Sequence, residues 1–178
     1  MKDTPAITPA EMPKLVPLPI PTKGKPFHKR IWAWLTKVRE WQLVENWEYD
    51  LPDGRRVLIP KGFVFDGASI PRLLWFFLSP TGLLLIPGLI HDFGYRYDYI
   101  WVVGEDGRIC KQDQAMGQDY WDEVFYSVGE RVNGMKVINW MAWLALSAFG
   151  GLAWDANRAR AAEDIVPTAS DGMAPVGG

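Results

Sequence analysis

The chain reads as an α+β protein, a small antiparallel β region followed by a bundle of three to four helices. Three observations carry this reading. Asp53-Gly54 and Asp106-Gly107 each sit between strand-like runs, a strong short-range hairpin signal. Pro71 and Pro87 each stand where the first turn of a helix tolerates a missing N–H donor. A length of 178 residues suits one domain with extended ends and allows a real core.

The elements follow in order. Seven of the fourteen prolines fall in the first 27 residues, so residues 1–27 are expected to form an extended arm and not a packed element. Ile31, Trp34, Leu35 and Val38 recur at helical spacing and predict a short amphipathic helix around 28–40. Its other face carries His28, Lys29, Arg30, Lys37 and Arg39, a solvated face that also suits an anionic surface. Gln42 to Asp50 and Arg55 to Pro60 flank the first turn, and Phe63-Val-Phe65 adds a short strand. Ser69 before Ile70-Pro71 predicts a helix running to Leu78, which Ser79-Pro-Thr-Gly82 ends. A second helix is expected over 87–97, a second hairpin over 100–110, and further helices over 111–127 and 135–154. Residues 28–156 are thus expected to form one globular domain, and 157–178, poor in large apolar residues, a flexible tail.

Composition removes several function classes. A formal charge of -2 and a pI near 5.7 speak against a broad electrostatic footprint for nucleic acid. The single cysteine, Cys110, excludes an internal disulfide framework and a Cys-rich zinc site. Ten Trp and six Tyr point to a core and interface built from large rings, and a membrane belt would use the same residues. Met1-Lys2 is followed by a Pro-rich stretch with no apolar run of the secretory type. Val137 to Trp154 approaches the minimum length of a spanning helix, but Asn139, Ser147 and Gly150-Gly151 favour a buried core helix.

The best candidate for chemistry is His91-Asp92, inside Leu89-Ile-His-Asp-Phe-Gly-Tyr95. On a helix, Tyr95 neighbours both residues, being four from His91 and three from Asp92. Adjacent side chains diverge by about 100°, so His91 and Asp92 need different partners. A His base requires a group that sets its tautomer. An Asp that binds a metal requires further oxygens. Asp113, expected to open the next helix, is within reach of His91 if the helices pack antiparallel, and Asp66 and Ser69 lie on a Gly-containing loop that can approach Asp92. The bland alternatives are a buried His bonded to a backbone carbonyl, and turn or cap roles for Asp66 and Ser69.

The run Ile59-Pro-Lys-Gly-Phe-Val-Phe-Asp-Gly-Ala-Ser-Ile-Pro-Arg72, followed by Ile90-His-Asp-Phe-Gly-Tyr95, resembles domain-of-unknown-function family 1353, found largely in bacteriophages and prophages. The likeness covers about residues 41–154 and implies a phage or prophage origin. Phe65 stands where that family has Thr, and Lys111 matches loosely the basic residue before the later Asp. Asp113 is the preferred match for that Asp, with Asp119 and Asp122 as the other candidates. The order His-Asp-x-x-Tyr, then an Asp on the next helix, is also similar to the phospholipase A2 plan. That similarity implies His91 as the base, Asp113 as the carboxylate that orients it and Tyr95 as a supporting donor. It also implies calcium held by Asp92; the Tyr-x-Gly-x-Gly loop of that plan is absent here, and Asp66-Gly67 is the candidate in its place.

The expected function is a bacteriophage virion or assembly component, docking other phage proteins through the Pro-rich arm and a Trp-rich surface. Two alternatives stand beside it. One is a calcium-assisted, phospholipase A2-like hydrolase at the cell envelope. The other is a membrane-associated lysis or host-takeover factor acting through 137–154. The expected location is the virion or the host cytoplasm, with membrane association under the last two readings.

Overall fold

The computed structural model describes residues 12–19, 26–27, 40–65, 84–160 and 163–167. The helix expected around 28–40 falls, but for its last residue, outside these ranges. So do Asp66, Ser69 and the helix expected to reach Leu78. What is described is α+β: two small antiparallel sheets and three helices.

One sheet combines β1 (Leu15–Pro17), β2 (Trp41–Leu43) and β5 (Val64–Phe65) in the order β1-β2-β5. The strand β1 lies within the arm expected to stay unpacked. Leu15 pairs with Leu43 and Pro17 with Trp41, while Met12 and Leu15 touch the core. Pro17 fits because β1 is an edge strand, where a missing donor leaves no ladder bond broken. The other sheet runs β3 (Trp47–Asp50), β4 (Arg56–Ile59), β6 (Ile100–Val103) and β7 (Ile109–Gln112) in that order. Both Asp-Gly hairpins form as expected, with Gly54 at φ 89° and Gly107 at φ 75°, a backbone region that glycine enters without strain.

Three helices complete the fold: α1 (Leu85–Tyr97), α2 (Gln118–Asn133) and α3 (Lys136–Arg160). Pro87 sits in the first turn of α1, where its lack of an N–H removes no intrahelical bond. The helix expected from 111 begins seven residues later. The strand β7 first pairs with β6 through Gln112, and then Asp113, Ala115 and Gly117 all take positive φ. A run of that kind cannot propagate a right-handed helix. At the other end α3 runs six residues past the expected 154.

The core joins the sheets to α1 through rings. Phe63 meets Phe93 at 5.1 Å between centroids, Phe93 meets Tyr97 at 4.7 Å, and Tyr99 meets Trp101 at 5.5 Å. Each fully buried ring of this size contributes roughly 1.5–3 kcal/mol. Residues 164–165, inside the expected tail, return to this layer. Trp101 Nε1–H donates to the Ile165 carbonyl at 3.0 Å, and Lys111 pairs with Asp164.

The helices pack as antiparallel neighbours. Asp98 at the end of α1 meets Gly117 at the start of α2, whereas Leu84 and His91 lie by Phe125. Likewise Gly129 of α2 faces Asn139 of α3, and Gln118 faces Gly150. Buried Asn139, Ala142, Ala145 and Leu146 form the inner face of α3, while Val137, Trp140, Met141 and Leu144 are exposed. Among the described residues no single helix is long and apolar enough to cross a membrane; the bent pair Lys136–Ala148 and Ala153–Ala159 meets that test only jointly.

Gly94 of α1 lies against Trp121 of α2, where a Cβ would overlap the indole. Gly94→Ala is expected to lower stability by about 3 kcal/mol, since neither the packed indole nor the helix backbone can give way. Gly88→Ala, on the same helix with nothing within 4 Å of the new Cβ, is expected to be neutral or to stabilise by about 0.5–1 kcal/mol. Urea unfolding of the two variants checks the contrast.

Candidate functional site

The site is built where α1 and α2 cross. His91 and Tyr95, one helical turn apart on α1, both point at one carboxylate on α2, that of Asp122. His91 Nε2 lies 2.9 Å from Asp122 Oδ1, and the Tyr95 hydroxyl donates to the same oxygen at 2.5 Å. With Nε2–H donating, the second nitrogen, Nδ1, is left as the basic lone pair. It lies 3.8 Å from Asp92 Oδ1. His91 therefore lies between two carboxylates, Asp122 on Nε2 and Asp92 on the Nδ1 side, so the adjacent pair expected to need separate partners also face each other.

The surroundings are apolar and closed. His91 and Asp122 are each 1% exposed, and Tyr95 is fully buried. The His91 ring is flanked by Tyr95 at 3.9 Å and, edge-on, by Phe125 at 5.6 Å. On its far side Tyr95 meets Trp154 edge-on at 5.2 Å. Gly150 permits this approach, because a Cβ there would come within 2.5 Å of the Tyr95 hydroxyl oxygen. The other oxygen of Asp122, Oδ2, is buried and has no hydrogen-bond partner among the described residues. Native cores rarely leave such an acceptor over, and where they do a functional role is one of the standard reasons.

Protonation follows from the same contacts. Burial favours the neutral imidazole of His91, yet the carboxylates of Asp122 and Asp92 outweigh it and raise its pKa above the ordinary value. Burial, reinforced by Asp122, pushes the Tyr95 phenol far above its usual range, so it acts as a hydrogen-bond donor and not as a base.

Asp113 does not orient His91. It sits at φ 54° in the turn after β7, and its Oδ2 accepts from Arg55 Nη1 at 2.8 Å and from the Tyr120 hydroxyl at 2.5 Å. Arg55 also bonds Asp53, so Asp113 ties the first hairpin to α2. The shift to Asp122 has a local cause: the helix starts at Gln118, not at 111, which moves the carboxylate facing His91 down the chain. One signal was available in the sequence. Trp121, Phe125 and Val128 form the buried stripe of α2, and Asp122 lies inside it with Gly129. A carboxylate on an apolar stripe needs a buried partner.

Local sequence patterns do not single out Asp98. It ends α1 in the left-handed conformation, φ 55°, and its N–H donates to the Gly94 carbonyl. Its carboxylate accepts from the Gly117 N–H at 3.1 Å and from Trp121 Nε1–H at 3.0 Å. One aspartate thus closes one helix and anchors the start of the next.

A family model described as protein of unknown function, DUF1353, matches residues 41–146. The chain belongs to this family. The match takes in His91, Asp92 and Tyr95 and extends to Asp122 on α2. No curated protein and no solved structure matches the chain. The DUF1353 region therefore contains the whole His91–Tyr95–Asp122 arrangement, while the Pro-rich arm lies outside it.

Calcium is a separate question. Asp66 lies outside the described residues, and Asp122 is engaged by His91 and Tyr95. Among the described residues no group of three or more His, Cys, Asp or Glu side chains converges to hold a metal ion. Asp92 and its described neighbours do not make up a calcium site.

The sign of the His91 shift predicts a pH effect. A histidine whose folded pKa is raised contributes stability that is fully present below its unfolded value, about 6.5, and is lost as pH rises through the folded value. The stability gap between the wild-type protein and His91→Gln is expected to be wider at pH 6 than at pH 9. Urea unfolding at the two pH values measures it.

Proposed function

We propose that this DUF1353 protein is a hydrolase of the phospholipase A2 type, encoded by a bacteriophage or prophage and acting on an ester at the cell envelope. The observation that carries the reading is Asp122 Oδ1 receiving both His91 Nε2 and the Tyr95 hydroxyl, with His91 Nδ1 on the opposite side of the ring. A base oriented by a buried carboxylate on the neighbouring helix is what water activation requires.

In the proposed reaction, which requires the closed site to open and admit water and the ester, His91 Nδ1 removes a proton from water as the water oxygen bonds to the ester carbonyl carbon. Asp122 stabilises the imidazolium that forms. The C–O bond to the alcohol then breaks, the imidazolium returns its proton to the departing oxygen, and acid and alcohol are released. Tyr95 holds the Asp122 carboxylate in place throughout. Because the His91 pKa is raised, the neutral base is populated above the ordinary imidazole range, and activity should climb on the alkaline side of it.

The burial of His91 favours a second reading. A fully buried network of this kind also fixes helix packing, and would do so in a virion or assembly component that docks other phage proteins. The two readings differ in what His91 does. Under the first, His91→Ala is expected to reduce hydrolysis of phospholipid and short-chain esters by about 10²- to 10⁴-fold, assayed with and without calcium. Hydrolysis that is absent in the wild type, or unchanged in a folded His91→Ala variant, rules the first reading out. Mass spectrometry of purified virions tests the second, for which the protein must be present in the particle.

A further inference from the structure

Away from the buried site, α2 and α3 open a cavity of about 430 Å³ lined by Glu123, Tyr126, Ser127, Trp140 and Trp143. That volume is in the range of small-molecule sites, roughly 300–1,000 Å³. The helices present these residues by simple periodicity. Glu123, Tyr126 and Ser127 are i, i+3 and i+4 on α2, and Trp140 and Trp143 are i and i+3 on α3. Trp140 is 52% exposed, an uncommon state for the largest apolar side chain.

The chemistry of the lining is one-sided. Among the described residues the Tyr126, Trp140 and Trp143 rings stack on no other ring, although rings elsewhere in the molecule pair extensively. Glu123 has no ion-pair partner among the described residues. Aromatic faces carry negative potential and attract cations, and the carboxylate adds a full negative charge at the same opening. An anion would be repelled here. A neutral apolar ligand would desolvate Glu123 without compensation. A primary ammonium is strongly hydrated and gives up that water at a cost. An alkylated ammonium meets all the conditions, since its methyl groups pack on rings while its charge answers the carboxylate.

We propose that the groove between α2 and α3 binds an alkylated ammonium group, held against the Tyr126, Trp140 and Trp143 rings and opposite the Glu123 carboxylate. The group has two sources of the same chemistry, a free choline-like solute or the headgroup of a zwitterionic lipid. The exposed row of Val137, Met141 and Leu144 on the same helix would meet acyl chains in the second case. The proposal does not rest on the hydrolase reading, since none of these residues touches His91 or Asp122 through a hydrogen bond.

Calorimetric titration of the full chain with choline and with tetramethylammonium tests it, using neohexanol as the uncharged carbon isostere of choline. Saturable binding of both cations is expected, with neohexanol at least tenfold weaker. Trp140→Ala is expected to weaken choline by about two- to thirtyfold, and Glu123→Gln to act in the same direction. Both positions are exposed, and circular dichroism verifies that the variants fold. In a parallel arm the protein is sedimented with phosphatidylcholine or phosphatidylglycerol vesicles. Preferential retention on phosphatidylcholine that Trp140→Ala abolishes assigns the group to lipid. Choline binding without vesicle retention assigns it to a free solute. Neohexanol binding as tightly as choline overturns the proposal. So does failure of choline, tetramethylammonium and phosphatidylcholine alike, or equal retention on both vesicles without choline binding.

Discussion

The contact on which the rest depends is the seating of Trp121 on Gly94, locked by Asp98. The indole covers Gly94, where a Cβ would overlap it, and its Nε1–H is held by the carboxylate that also receives the Gly117 N–H. Together these fix the separation, the register and the starting point of α2. A one-residue slip in either helix would rotate its face by about 100° and carry Asp122 away from His91 and Tyr95. The site is thus a consequence of a packing constraint one turn away from it.

That constraint also explains how a histidine and an aspartate can be buried together. Isolated, either charge would be costly in this apolar setting. Paired at 2.9 Å, with a phenol donating to the same oxygen, they compensate each other. The compensation is one-sided, because Asp122 Oδ2 is left without a partner among the described residues. A network present only to fix helix packing would gain from filling that position.

The opposite face of the same helix pair follows different rules. Inward, α2 and α3 are joined by small-residue contacts such as Gly129 on Asn139 and Gly150 on Gln118. Outward, they present rings and a carboxylate that stack on no ring and join no ion pair among the described residues. One bundle therefore supports two chemically distinct regions. The first is closed and built on a buried His–Asp–Tyr network, the second open and lined by rings and a carboxylate.

Much of the architecture was legible from local signals. Both Asp-Gly hairpins, the Pro87 start of α1 and the class of the fold are properties of short segments, because turn geometry and missing donors act over a few residues. Helical spacing alone put Tyr95 beside His91; it did not foresee that Asp92 would also face His91 Nδ1. What the chain could not disclose locally was which carboxylate answers His91. Asp113 looked best because the helix was expected to begin near it, but β7 holds Gln112 in the sheet and a left-handed run delays the helix to Gln118. Pairing with β6 and the Trp121–Gly94 contact join residues far apart in sequence, and their energies exist only once the partners meet. Tertiary structure therefore decided for Asp122, and for Leu15–Pro17 becoming an edge strand within an otherwise Pro-rich arm.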